Sequence, residues 1–154
     1  MRVLIDTSIW SVALRRHASL QNPETEELQR LISIHTTEII GPIRQEVLSG
    51  IRDQAQFDQV EAHLAAFADL QLRAEDYVTA AKFYNLCRSK GIQGSNTDFL
   101  ICAAAARRGL AIFTTDKDFL RFAACIPIDL HEINRTAKSK SIRNRHPEPK
   151  HRRK

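Results

Sequence analysis

Apolar residues come in two rhythms along this chain: short unbroken runs, and longer stretches at helical spacing. Val3-Leu4-Ile5 and Ala111-Ile112-Phe113 are short runs closed by polar residues. Runs of this kind mark strands buried on both faces, so strands are predicted over residues 2–6 and 110–114. Residues 38–41, 70–72 and 128–130 predict three more short strands. Elsewhere the apolar positions fall three and four apart. Leu28, Leu31 and Ile32 predict a helix over residues 24–34 after a break at Asn22-Pro23. Phe57, Val60, Leu64 and Phe67 predict one over 54–68, and Tyr77, Ala81, Tyr84 and Cys87 one over 75–89. Helical signal also runs from Thr7 or Ser8 to about Arg16, and from Pro42 to near Gly50. Pro42 fits a first helical turn, where a missing N–H costs nothing. After a loop over residues 91–95, a cap at Asn96 or Thr97 opens a helix that runs to about Arg108 and ends at Gly109. A short helix covers 118–125. No segment repeats. Strands alternating with helices in this way predict an α/β sandwich around a mostly parallel sheet.

The chain has 154 residues, 43% of them hydrophobic and 27% charged, which fits one domain with a full core. No run approaches the roughly 20 apolar residues that span a bilayer. The first apolar run is cut by Asp6 before any signal-peptide pattern develops. A cytoplasmic protein with no membrane segment is expected. Cys87, Cys102 and Cys125 form no C-x-x-C pair and are expected to be reduced thiols. The histidines lack metal-ligand spacing, and His17, His35 and His63 are expected at the surface or its boundary.

The net charge of +5 is uneven. Residues 136–154 hold eight Lys/Arg and one acid, Glu148, a balance of +7, against 15 basic and 17 acidic residues in 1–135, a balance of −2. The chain therefore divides into a nearly neutral body, 1–135, and a basic tail, 136–154. With few large apolar residues and with Pro147 and Pro149, the tail is expected to be largely disordered. It is either a solubilising end or a loose anchor on phosphate.

Four acids fall at the ends of predicted elements. Asp6 closes the first strand, Asp116 follows the strand over 110–114, Asp98 opens an alanine-rich helix and Glu46 lies in an early helical turn. Ligands of parallel sheets bind beyond the carboxyl ends of the strands, so one shared pocket is expected. Like charges in close quarters resist ionising together, and an oxygen-rich site of this kind suits Mg²⁺ or Mn²⁺. Such ions offset charge on phosphoryl oxygens and make water more acidic, which is the chemistry of phosphodiester hydrolysis. Taken singly each acid has a plainer explanation: Asp6, Asp98 and Asp118 suit helix N-caps, and Glu46 a solvated helix face. Arg15 and Arg16, Arg44 and Lys117 stand near the acids as candidate phosphate contacts, although such residues are more often simply solvated. Trp10, the one Trp, is expected in core packing or an interface.

In order along the chain stand Leu4-Ile5-Asp6-Thr7-Ser8, Glu46-Val47-Leu48-Ser49-Gly50, Asp98-Phe99-Leu100-Ile101-Cys102 with three alanines, and Thr114-Thr115-Asp116-Lys117-Asp118-Phe119. Together they resemble the PIN-domain family, and more narrowly VapC-type toxins of bacterial toxin–antitoxin pairs, over about residues 1–133. The resemblance implies a three-layer α/β/α fold and a Mg²⁺- or Mn²⁺-dependent endoribonuclease. Asp6, Glu46, Asp98 and Asp116 match the family's acidic positions. Ser8 and Thr114 match polar positions that order the site, with Asp118 and Asn96 as further supporting candidates. It also implies an RNA substrate, a VapB-like antitoxin and a homodimer. The basic tail departs from the pattern. Three other readings stand beside it: a PIN nuclease of RNA processing without an antitoxin, a non-catalytic RNA-binding protein using the tail, and a receiver domain. The last wants paired acids at the first strand, where this chain offers Asp6 alone.

Overall fold

The computed structural model describes residues 1–15 and 21–134. Arg16, His17 and the tail over 136–154 lie outside the described residues. A central sheet is built from β1 (Val3–Ile5), β2 (Thr37–Glu38), β3 (Ala111–Phe113) and β4 (Asp129–Leu130) in the order β2-β1-β3-β4, every pairing parallel. The register sets Val3 against Thr37 on one side and against Ala111 on the other. Helices flank the sheet: α1 (Thr7–Ala13), α2 (Pro23–Ser33), α3 (Gly41–Leu48), α4 (Gln54–Leu64), α5 (Ala74–Ser89), α6 (Asn96–Arg108) and α7 (Asp118–Ala123). The result is the α/β sandwich around a parallel sheet that the alternation predicts, in the three-layer α/β/α form that the resemblance implies.

β1 and β3 are buried at every position, as their unbroken apolar runs require. α6 is the central helix. Seven consecutive residues, Phe99 to Ala105, are buried, and the alanines let it sit close against β3 and α5. One ionic knot fastens α5 to α6. Asp76, fully buried, accepts from Arg107 at 2.6 Å, from Arg108 at 2.7 and 2.9 Å, and from the Arg73 backbone N–H at 2.8 Å. Hydrogen bonds from the two guanidinium groups hold the Asp76 carboxyl well below the usual carboxylate range, against the opposing pull of burial.

Several boundaries differ from the sequence expectation. The Asn22-Pro23 break is the start of α2: Asn22 Oδ1 accepts from the N–H groups of Glu24 and Thr25, and Pro23 takes the first turn. β2 lies at Thr37–Glu38, with Ile39 continuing as a single parallel bridge to Asp69. The strand expected over 70–72 is absent, because only Leu70 N–H reaches across, to Ile39 O at 2.8 Å. α1 ends at Ala13 and α4 at Leu64, both shorter than expected. The cap of α6 is Ser95, one residue before Asn96 and two before Thr97, the expected caps. Trp10 is a core residue, edge-on to Phe67 at 5.1 Å. His35 and His63 are exposed, and all three cysteines are free thiols, Cys87 and Cys102 buried. Among the described residues no helix is long and apolar enough to cross a membrane.

Candidate functional site

β1 leads by way of α1 and α2 to β2 on one side of the sheet, and β3 leads by way of α7 to β4 on the other. The winding therefore reverses between β1 and β3, and the carboxyl ends of the strands at such a reversal are where parallel sheets bind ligands. Asp6 is the residue after β1, and Asp116 lies three residues beyond β3. The two words that carry them meet at this point. Asp6 N–H donates to Phe113 O at 2.9 Å, which extends the β1–β3 ladder to the acid itself.

Hydroxyls then fix the acids. Asp6 is 5% exposed and stands at the N-cap position of α1, yet its side chain makes no capping bond. Its Oδ2 instead accepts from Ser8 Oγ at 2.8 Å and from Thr114 Oγ1 at 2.7 Å. Each hydroxyl also receives an amide of the loop after β3: Thr115 N–H donates to Ser8 Oγ at 3.1 Å, and Asp116 N–H to Thr114 Oγ1 at 3.0 Å. Asp116 Oδ1 in turn accepts from Asp118 N–H at 2.9 Å, which caps α7. Asp118 thus enters through its backbone, while its carboxylate faces Arg121 at 3.7 Å.

Asp98 is held by a reciprocal cap at the start of α6. Ser95 Oγ accepts its N–H at 3.1 Å, and its Oδ2 accepts Ser95 N–H at 2.8 Å. Burial raises the Asp98 carboxyl above its usual value. The Ser95 bonds pull it back down, and the charges of Asp6 and Asp116 push it further up. Asp98 therefore shares a field with both acids at the strand ends. The Cys102 thiol, one turn along α6, is pushed up by burial and then by Asp98. Glu46 is exposed on α3, and Thr7 Oγ1 donates to its Oε2 at 3.2 Å.

Two regularities are common to these four acids. Each has one carboxylate oxygen engaged by a neutral donor, and the other takes no hydrogen bond from a described residue. None of the four forms an ion pair with a described residue. Some acids of the fold are neutralised, Glu27 by Arg30 and His131, Glu38 by Arg2, Asp69 by Arg44 and Asp76 by Arg107 and Arg108, while exposed Asp58 takes only Gln54 Nε2 among the described residues. As the side chains stand, no three His, Cys, Asp or Glu residues among those described converge at ligand distance on one point. The donor set nevertheless fits a hard cation: oxygen only, uncompensated, with a second oxygen open on every member.

The other candidates fall apart from this centre. Asn96 lines a cleft of about 390 Å³ between α5 and α6, together with Tyr77, Asn85 and Leu100. Arg44 is committed to structure, its guanidinium bonding Asp69 Oδ1 and the carbonyls of Leu64 and Phe67. Arg15 and Lys117 are exposed, Lys117 inside the loop between Asp116 and Asp118. Two participants are not among the residues that the sequence pattern marks. Thr7 has no local signal pointing to Glu46. Ser95, by contrast, stands three residues before Asp98, the spacing of a capping box.

A doubly wound parallel sheet with uncompensated carboxylates at its reversal point defines an α/β domain with an acidic site at the carboxyl ends of its central strands. The family model for the PIN domain matches residues 3–124. The chain belongs to that family. No curated protein sequence matches it. Among solved structures it is similar to FitAcB from Neisseria gonorrhoeae (TM-score 0.69, 17% identity, covering 84% of this chain and 96% of that one). It is similar too to VapBC2 from Rickettsia felis bound to a promoter DNA fragment (TM-score 0.69, 19% identity, 85% and 98%). A third is VapBC-1 from nontypeable Haemophilus influenzae (TM-score 0.66, 16% identity, 86% and 98%). At these identities the likeness is one of fold.

Proposed function

We propose that the protein is a Mg²⁺- or Mn²⁺-dependent endoribonuclease, the toxin of a VapBC-type toxin–antitoxin pair. The observation that carries this reading is a set of acids drawn together without counter-charge: Asp6 is buried and Asp98 half-buried, Asp98 feels the charges of Asp6 and Asp116, and none has a basic partner among the described residues. Asp6, Asp98, Asp116 and Glu46 would hold the ions through their open oxygens. A bound ion would offset charge on the scissile phosphodiester and make water more acidic. The residues' own part is positional. Ser8 and Thr114 lock Asp6, the Thr114–Asp116–Asp118 chain sets the loop beyond β3, and Ser95 fixes Asp98. Exposed Lys117, inside the loop beyond β3, and exposed Arg15 are the candidates for guiding RNA phosphates. The toxin assignment draws on the likeness to VapBC and FitAB complexes, and it implies a VapB-like antitoxin. The homodimer would use the exposed apolar face of α5, where Tyr77 and Val78 are each 54% exposed. Free thiols suit a cytoplasmic setting.

The test compares RNA cleavage by the purified protein in Mg²⁺ or Mn²⁺ with cleavage in EDTA, alone and with the product of an adjacent small reading frame. Metal-dependent cleavage that the partner suppresses is expected. Cleavage without any such partner would favour an RNA-processing nuclease. Binding of RNA without cleavage in any metal would leave only an RNA-binding protein and overturn the reading.

A further inference from the structure

The four acids are placed by different means, and Glu46 has the slightest support. Asp6 and Asp98 are held at buried or half-buried element ends, and Asp116 by two links of its own loop. Glu46 is exposed on α3, 39 positions from its single side-chain partner, Thr7. Without that bond its carboxylate would sample the rotamers open to any surface glutamate. Thr7 is well placed to prevent this. It is the first residue of α1, next to Asp6, and α1 packs directly on α3. The rigid joint that fixes Asp6 against β3 therefore also fixes the Thr7 hydroxyl.

We infer that Thr7 is the positioning residue for Glu46: its hydroxyl pins Oε2 and leaves Oε1 for a divalent cation. The inference rests on the metal-dependent reading of the site given above. The choice of donor carries physical meaning. An Arg or Lys at this place would orient Glu46 equally well but would cancel the charge that a cation needs, as Arg44 does for Asp69. A hydroxyl orients the carboxylate and leaves its charge intact. The same logic holds for the hydroxyls on Asp6 and the backbone amides on Asp98 and Asp116, so Thr7 completes a set of neutral donors around four anions.

The experiment measures Mn²⁺ affinity by isothermal titration calorimetry without RNA, then the Mn²⁺ dependence of RNA cleavage. The proteins are wild type, Thr7→Val, Thr7→Ser, Glu46→Gln and the Thr7→Val/Glu46→Gln double variant. Thr7→Val should weaken Mn²⁺ binding about ten-fold, the usual cost of losing an outer partner of a ligand. It should raise the Mn²⁺ needed for half-maximal cleavage by the same factor while changing cleavage at saturating Mn²⁺ far less. Thr7→Ser should bind like wild type. Adding Thr7→Val to Glu46→Gln should cost nothing more, because the anionic ligand that Thr7 orients for the cation is already gone. Thr7→Ala serves the same comparison if Thr7→Val does not fold. Unchanged affinity in Thr7→Val, or an undiminished further loss in the Glu46→Gln background, overturns the role of Thr7 alone. A wild type that binds no Mn²⁺ overturns the metal reading and this inference together.

Discussion

Thr114 Oγ1 donates to Asp6 Oδ2 at 2.7 Å, across 108 positions of sequence. The same hydroxyl accepts the N–H of Asp116 at 3.0 Å. One oxygen thus ties the acid at the end of β1 to the acid beyond β3. Thr114→Val keeps the shape, removes the donor and the acceptor, and strands Asp6 Oδ2 with Ser8 alone. Stability should fall by about 1–2 kcal/mol, the cost of leaving part-buried partners unmade. RNA cleavage should drop at least ten-fold, because the geometry of two acids loosens at once. Thr114→Ser should retain most of both. Urea unfolding beside cleavage assays checks this; a fully active Thr114→Val would remove Thr114 from the site.

Asp98→Asn should separate function from stability. The Asn oxygen can still accept Ser95 N–H, so the cap survives, while the charge that burial, Asp6 and Asp116 disfavour is gone. An acid raised in the folded state weighs against folding once pH exceeds its unfolded value, and fully so above the raised one. The variant should therefore melt higher than wild type at neutral pH without metal, yet cleave no RNA. Millimolar Mn²⁺ should raise the melting temperature of wild type and lift that of the variant less. Melting curves in EDTA and in Mn²⁺ decide it; a variant less stable than wild type in EDTA would mean the acids do not strain the fold.

The places of Asp6 and Asp116 were legible in the sequence because both follow strands, and strand ends are where apolar runs stop; Glu46, expected in an early helical turn, is the sixth of the eight residues of α3. Val3-Leu4-Ile5 and Ala111-Ile112-Phe113 gave the two central strands, and with them the places of Asp6 and Asp116. What the sequence hid were choices made by distant partners. Three residues in a row, Ser95, Asn96 and Thr97, suit a cap, and only Asp98 reaching back to Ser95 selects the first. Arg44 reads as a phosphate contact until α4 and the loop after it supply three acceptors for it. Residues 70–72 have a strand's alternation but meet their neighbour through a single bond. His131 pairs with Glu27 at 2.7 Å, which no local pattern announces.

Asp76 makes the fold acid-sensitive in a defined way. Its carboxyl is depressed in the folded state by Arg108 and Arg107. A depressed acid contributes stability above its unfolded value and loses it as pH falls toward the folded one. That loss should begin below about pH 4, near the unfolded value for Asp, and Glu27, lowered chiefly by Arg30, should add to it. Asp76→Ala should cost about 3–5 kcal/mol at neutral pH, since two arginines lose their buried partner. It should also flatten the acid limb of the melting temperature plotted against pH. An acid limb of wild-type steepness in the variant would show that other carboxylates govern acid unfolding.

Gly94 meets a packing limit just before the Ser95–Asp98 cap. A Cβ there would stand 2.5 Å from Phe122 Cζ and 3.0 Å from Phe99 Cε2, and both rings are buried. Gly94→Ala should destabilise the fold by about 1–3 kcal/mol, the usual cost of overpacking. By shifting the loop that leads into α6 it should also weaken Mn²⁺ binding. Wild-type stability in Gly94→Ala would show that the loop yields freely.

The last prediction concerns residues 136–154, which lie outside the described part and enter by charge alone. They carry a balance of +7 where residues 1–135 carry −2. An acidic site on a slightly acidic body offers RNA little general attraction, so the tail is the chain's main source of counterion release. Deleting 136–154 should weaken RNA binding at low salt and flatten the dependence of log affinity on log salt. The slope should shrink by about 0.7 for every single-strand phosphate that the tail neutralises in the full-length protein. Cleavage at saturating RNA should change little, because all four acids precede residue 136. The measurement is RNA affinity at several salt concentrations, full length against truncated, with Asp98→Asn in both to prevent cleavage. Equal affinities and equal slopes would show that the tail serves solubility and takes no part in holding RNA.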